Sequence, residues 1–192
     1  PYFYSDYYTA VEMTRRMYKN DEQRNKYVTS GLITGTQWDM ICQYMKDNGV
    51  DITSSNWGNY DNVSLGGTED SKKLRGYYTN ADSGSTYGFK KIENGFKTNS
   101  GIDSRVILTT GSTEQVKKMN LYDIAGNLFE WTQETAYLKD TKYNLDNKKN
   151  SYVIRGGSFH VVFEKYPVYN RNCDYGTSAS IINGFRPILC IK

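Results

Sequence analysis

Redox and metal chemistry both begin with cysteine and histidine, and this chain has three of the first and one of the second. Cys42, Cys173 and Cys190 are widely scattered, with no Cys-x-x-Cys and no Cys/His cluster at metal-ligand spacing. An odd cysteine count argues against a disulfide framework. Cys42 and Cys190, each beside apolar neighbours, read as buried small hydrophobes. His160 stands alone, which excludes zinc centres built from several imidazoles. A lone loop histidine is usually just solvated.

His160 and Cys173 lie inside a framed segment. Arg155-Gly156-Gly157-Ser158-Phe159 opens the frame and Gly184-Phe185-Arg186-Pro187 closes it. Between them, His160, Val161, Val162, Phe163, Tyr169, Cys173, Asp174, Ile181 and Ile182 follow one another with neither helical nor strand period. The ends are ordered and the interior is chemically arbitrary.

The elements that position this segment can be read outward from it. Val153-Ile154 is an apolar pair leading into the opening frame, and Ile188-Leu189-Cys190-Ile191 closes a sheet after the second frame. Leu121-Tyr122 leads into a turn and strand at Gly126-Asn127-Leu128-Phe129-Glu130-Trp131, and Arg105-Val106-Ile107-Leu108 is a further strand candidate. A first helix is expected from about Tyr8 to Tyr18, with Ala10, Val11, Met13 and Met17 as its apolar stripe and Ser5-Asp6 at its start. Thr34-Gly35-Thr36-Gln37 has the form of a capping box. A second helix runs from it to about Lys46, with Trp38, Ile41 and Met45 inward, and ends at Asn48-Gly49. Residues 51–101, rich in Gly, Ser, Asn, Asp and Tyr, are too long for a simple connection and read as an excursion with short strands near Tyr87–Phe89 and Phe96.

Three ordered blocks carry a resemblance: Gly31-Leu32-Ile33-Thr34-Gly35-Thr36-Gln37-Trp38-Asp39, then Leu121 through Thr132, then the framed segment ending in Gly184-Phe185-Arg186. Together they resemble the formylglycine-generating-enzyme (sulfatase-modifying-factor) family, a branch of the C-type lectin fold. The resemblance implies an α+β domain of two helices packed on irregular antiparallel sheets with long loops. It also implies a strand before the first helix, which is not evident in the sequence. The enzymes of the family use a pair of cysteines just after the opening frame, and here Val161 and Tyr166 stand at those places. The redox chemistry lacks its thiols.

A second set of relatives keeps the scaffold and not the catalysis: the variable proteins of diversity-generating retroelements. In them adenine-directed mutagenesis randomises codons between the two frames. Asn codons ending in a pyrimidine then yield His, Val, Phe, Tyr, Asn, Cys, Asp, Ser, Ala or Ile, the residue types seen here, but not Glu, Lys, Gln, Met or Trp. Glu164 and Lys165 depart from that set. This resemblance makes residues 155–187 a variable ligand-binding region. Its contact positions would be His160, Val161, Val162, Phe163, Val168, Tyr169, Asn172, Cys173, Asp174, Ser178, Ala179, Ile181, Ile182 and Asn183. The apolar run Val161-Val162-Phe163 could instead be strand and core; the exposed reading is preferred because the framing strand ends just before it.

Lectin-fold relatives bind calcium around the Gly-Asn-x-x-Glu-Trp turn. Carried over, the ligands would be the carbonyls of Ala125, Gly126 and Leu128 and the side chain of Glu130, oxygen donors that suit a hard cation. The plainer alternative is that Asn127 and Glu130 only hydrogen-bond the turn. No Glu-Pro-Asn or Gln-Pro-Asp sugar motif occurs. No cofactor is required, and calcium is the one to test.

Composition bounds the rest. At 192 residues, 1–192 is expected to fold as a single domain, burying about two thirds of its unfolded surface. Net charge is +3, and with Lys and Arg spread along the chain a concentrated basic face for nucleic acid is not expected. No apolar run approaches the ~18 residues of a membrane span, and mean hydropathy is −0.72. The chain opens at Pro1 with no Met or signal-peptide pattern, so it is expected to be part of a longer protein. Aromatics make up 15% of residues, with Tyr 18 against Phe 7 and Trp 3; Tyr favours contact surfaces, though it also covers strand-rich domains with no function attached.

The expected function is a non-enzymatic binder of a protein or cell-surface ligand, located on a phage virion or bacterial cell surface. Nucleic-acid binding and membrane insertion are not expected. The alternatives are a divergent oxidase of the family and a static structural module.

Overall fold

The computed structural model describes residues 3–63, 76–79, 89–92, 106–111, 114–136 and 151–192. The chain divides into two compact units. One draws on Tyr2–Ile41, Phe129–Arg155 and Arg171–Lys192, the other on Cys42–Leu128 and Gly156–Asn170.

In the first unit the chain begins with strand β1, Phe3–Ser5, and helix α1, Tyr7–Arg15. Asp6 caps α1, its Oδ1 accepting from the Thr9 amide at 2.7 Å. The helix stops three residues short of the sequence expectation, and Met17 is left half exposed beyond it. Ala10 and Thr14 form the buried face instead. Thr14 can be buried because its hydroxyl donates back to the Ala10 carbonyl at 2.8 Å. A short helix α2, Glu22–Asn25, precedes strand β2, Val28–Leu32.

Helix α3, Gly35–Asp47, starts as the sequence predicts. The Thr34 amide donates to Gln37 Oε1 at 2.9 Å and the Gln37 amide to Thr34 Oγ1 at 3.1 Å, a reciprocal capping box. At its end Gly49 takes φ +80°, the Gly49 amide reaches the Lys46 carbonyl, and the Val50 amide reaches the Met45 carbonyl, both at 3.0 Å. These two bonds are the Schellman pattern that a left-handed residue permits. Trp38, Cys42 and Met45 are buried along α3, so Cys42 takes the place expected for Ile41, which is half-buried.

The second unit holds strands β3, Gly76–Thr79, β4, Phe89–Ile92, and β5, Val106–Leu108, in one antiparallel sheet ordered β4-β3-β5. Of the strands expected in the excursion, Phe89 begins β4, whereas Tyr87 and Phe96 lie outside the described residues. A 3-10 turn, Glu114–Val116, leads to the small ribbon of β6, Lys117–Lys118, and β7, Leu121–Tyr122. Tyr60, Ile107, Leu108, Val116, Ile124, Phe159 and Val168 are buried in this unit.

The first unit continues with β8, Phe129–Ala136, β9, Ser151–Arg155, β10, Asn172–Tyr175, β11, Ser180–Phe185, and β12, Pro187–Ile191. Five of its strands form a sheet ordered β1-β11-β8-β9-β10, with β11 and β8 parallel and the other pairs antiparallel. The N-terminal strand that the sequence did not reveal is therefore present: β1 pairs Phe3 with Gly184 and Ser5 with Ser180. The closing strand β12 joins β2 in a separate two-stranded sheet. Trp131 is fully buried in the larger sheet's core, its indole N–H donating to the Ser5 carbonyl at 2.9 Å and its ring edge-on to Tyr7.

Candidate functional site

The opening frame works as a backbone device. Gly156 and Gly157 take φ +87° and +76°. A Cβ on Gly157 would lie 2.7 Å from the Tyr166 carbonyl oxygen and collide with a carbon of the Tyr60 ring, so only glycine fits. Tyr60, 2% exposed, places its hydroxyl 2.7 Å from the Gly156 carbonyl and 2.9 Å from the Tyr166 carbonyl. Burial pushes its phenol pKa far above the ordinary range, so it serves as a neutral hydrogen-bond donor.

Further residues hold the main chain of 156–170. The Val168 amide donates to Ser55 Oγ at 2.8 Å, and the Phe163 amide to Asn62 Oδ1 at 3.2 Å. The Asp61 amide donates to the Val161 carbonyl and the Phe159 amide to the Asn127 carbonyl, both at 3.0 Å. Asn127 is itself locked: its Oδ1 accepts from the Leu108 amide at 2.9 Å and from Asn59 Nδ2 at 3.1 Å, while its Nδ2 donates to the Leu108 carbonyl at 3.1 Å. These holding residues lie outside the segment they hold.

Within this unit His160 is exposed and Tyr169 is 45% exposed. Val161, Val162 and Phe163 sit in turns, half-buried, with the Phe163 ring edge-on to Tyr60 at 6.3 Å. Their setting is neither the strand nor the fully exposed patch that the sequence left open. Val168 is a correction: it is fully buried and presents no side chain to a ligand, because its amide is drawn inward to Ser55.

In the other unit Asn172, Cys173 and Asp174 are half-buried on β10, Ser178 is half-buried, Ala179 is exposed, and Ile181 and Ile182 are half-buried on β11. Asn183 is the second correction. It is fully buried, and its Nδ2 donates to Asp174 Oδ2 at 3.0 Å, tying β11 to β10. Its side chain is structural, with Asp174 as its partner.

Thiol chemistry finds no support in the cysteines. Burial, followed by the nearby Asp174 charge, pushes the Cys173 thiol pKa up, which lowers its thiolate fraction and its reactivity. Cys42 is buried as expected, but Cys190 is exposed, because among the described residues β12 pairs with β2 alone and turns its last residues to solvent. Val161 and Tyr166 use their main chains to hold the loop: the Val161 carbonyl accepts from Asp61 and the Tyr166 carbonyl from Tyr60.

At the turn expected to bind calcium, Glu130 already has a cationic partner. Arg186 Nε and Nη2 each lie 2.8 Å from a different Glu130 oxygen, a bidentate pair that occupies the carboxylate with a guanidinium. A cation liganded by Glu130 would have to share this carboxylate, only 8% exposed, with Arg186. Glu130 and Asn127 are turn and strand fasteners, the plainer alternative. Among the described residues no group of three or more His, Cys, Asp or Glu side chains is placed to hold a metal, and no helix is long and apolar enough to cross a membrane.

Sequence reasoning missed Ser55, Asn59, Tyr60 and Asn62, which looked like part of a polar excursion. The one available signal was Trp57-Gly58-Asn59-Tyr60, an aromatic and glycine cluster inside that stretch.

With this geometry in view, family membership follows. The profile of the sulfatase-modifying factor enzyme 1-like domain matches residues 43–191, and the chain belongs to that family. No curated protein matches. Among solved structures the chain is similar to Treponema denticola variable protein 1, at 20% identity and a TM-score of 0.37, over 84% of this chain. The match covers 48% of that protein, so the chain spans about half its length.

Proposed function

We propose that this chain is a non-enzymatic binding domain that displays residues of 160–182 to a protein or cell-surface ligand, on a phage or bacterial surface, and that a diversity-generating retroelement varies those residues. The observation that carries the reading is the way the segment is held. Tyr60, Ser55, Asp61, Asn62 and Asn127 fix the main chain of 156–170 from outside it. Strand ladders fix β10 and β11. The side chains of Val162, Tyr169 and Ala179 take no part in these bonds, so they can change while the backbone stays. The non-enzymatic half of the proposal is supported by the absence of thiols at Val161 and Tyr166.

Two measurements test the two halves. The purified domain, given copper, oxygen and a sulfatase-type cysteine peptide, should leave the peptide mass unchanged; turnover above a no-protein control defeats the non-enzymatic reading. The flanking DNA should hold a near-copy of the segment coding 155–187, rich in AAC or AAT, beside a reverse transcriptase gene. Its absence from the source genome defeats the diversification reading.

A further inference from the structure

We infer that Arg171 is a positioning residue that locks the register of β10 on β9, and so decides which β10 side chains meet solvent. The register pairs Asn172 with Ile154, which sets Arg171 across from Arg155 one step further along. Two like charges opposite each other destabilise a strand pair. Here two carboxylates from other elements resolve the conflict. Asp39 of α3 accepts from Arg155 Nη2 through Oδ1 at 2.7 Å and from Arg171 Nη2 through Oδ2. Glu134 of β8 takes Arg171 Nε at 3.1 Å and lies 3.9 Å from Arg155 Nη1. The result is a closed ring of alternating charge.

Each member has a reason for its place. Arg155 is fully buried, with its guanidinium over the Trp38 ring, and a buried cation requires carboxylate partners. Glu134 lies where the β8–β9 register shifts between Trp131 and Thr135, an irregularity of the kind that re-aims a side chain. Arg171 is half-exposed, like Asp39, and its fork spans both carboxylates. A slip of β10 by one residue would bring Asn172 opposite Arg155 and leave Asp39 and Glu134 facing a single guanidinium. It would also exchange the faces of Asn172 and Asp174 with those of Cys173 and Tyr175. Arg171 is thus the fixed position beside Asn172, Cys173 and Asp174. The consequence for ligand display rests on the proposed function, whereas the register lock does not.

The test uses the chain's own thiols and no ligand. In a Cys190→Ser background the remaining cysteines are Cys42, buried in the core, and Cys173, half-buried on β10. Iodoacetamide labelling of the native protein, followed by peptide mass mapping, gives the ratio of Cys173 to Cys42 modification. Losing a charge-assisted bridge of this kind should raise Cys173 labelling about tenfold or more in Arg171→Ala while Cys42 stays unchanged. Arg171→Lys, which keeps the charge without the fork, should fall between the two. Equal rises at both cysteines would mean that Arg171 contributes only to global stability, and no rise at Cys173 would mean that it does not hold β10; either overturns the inference. Should Arg171→Ala fail to fold, the same ratio in Arg171→Lys decides.

Discussion

Tyr60→Phe is the sharpest probe of how the candidate binding segment is held, since it removes one oxygen and leaves the ring. The hydroxyl lies within hydrogen-bond reach of the Gly156 and Tyr166 carbonyls at a site 2% exposed. A neutral hydrogen bond contributes about 1 kcal/mol net, and leaving a buried acceptor poorly satisfied costs about 1–3. The Gly156 carbonyl keeps the Gly126 amide at 2.6 Å, which argues for the lower part of that range. A loss of about 1–2 kcal/mol is expected, and at about 2–4 °C per kcal/mol for a chain of this size the melting temperature should fall roughly 2–8 °C. The comparison is the double variant His160→Ala, Tyr169→Ala, two exposed positions within the segment, where surface changes cost within about 0.5 kcal/mol each. Thermal denaturation followed by circular dichroism reads both, and amide exchange at Phe159, Val161 and Val168 should accelerate in Tyr60→Phe alone. If the double variant melts as low as Tyr60→Phe, the segment's own side chains hold it and the reasoning is wrong.

Trp131→Ala removes a fully buried ring together with its bond to Ser5 and should cost roughly 3–5 kcal/mol, read as a large drop in urea midpoint or as failure to fold. Asp6→Ala removes the α1 cap and should cost about 1 kcal/mol by the same assay. Arg186→Ala leaves Glu130 buried without its partner, at a cost of roughly 3–5 kcal/mol near neutral pH. Burial already pushes the Glu130 carboxyl above the usual range against the pull of Arg186. A carboxyl raised in the fold contributes stability fully below its unfolded value of about 4.3 and loses it as pH rises through the folded value. The Arg186→Ala deficit relative to the parent should therefore shrink near pH 4; a deficit independent of pH between 4 and 7 would refute this account.

What the sequence revealed was local. Thr34 and Gln37 are three residues apart and cap each other, and Gly49 follows the helix it ends, so α3 was legible to within a residue or two. The frames at 155–158 and 184–186 were legible because glycines and a buried arginine mark them. What stayed hidden depends on partners far along the chain. Tyr60 acts on Gly156, ninety-six residues away, and nothing near Tyr60 announces it. The strand β1 is three residues long and exists through pairing with β11, which no local period can signal. Val168 and Asn183 looked like their neighbours by residue type, but one amide and one amide side chain draw them inward. The outward side of Cys190 follows from β12 leaving the main sheet, a matter of topology.

Strand β10 lies at the margin of its sheet, with β9 as its one strand neighbour among the described residues. Among the described residues no strand pairs with its outer row of peptide groups, and an unpaired row of that kind is a route to aggregation. Under the proposed function, each new sequence on β10 would face a colloidal test, separate from folding and from affinity. The strand is only four residues long, follows the cation Arg171 and carries the anion Asp174, features that discourage edge-to-edge growth. Sequence changes at Asn172 and Cys173 that leave Arg171 and Asp174 in place keep both charges at this margin. On that proposal, solubility at this margin would limit how far the surface can vary before any ligand is met.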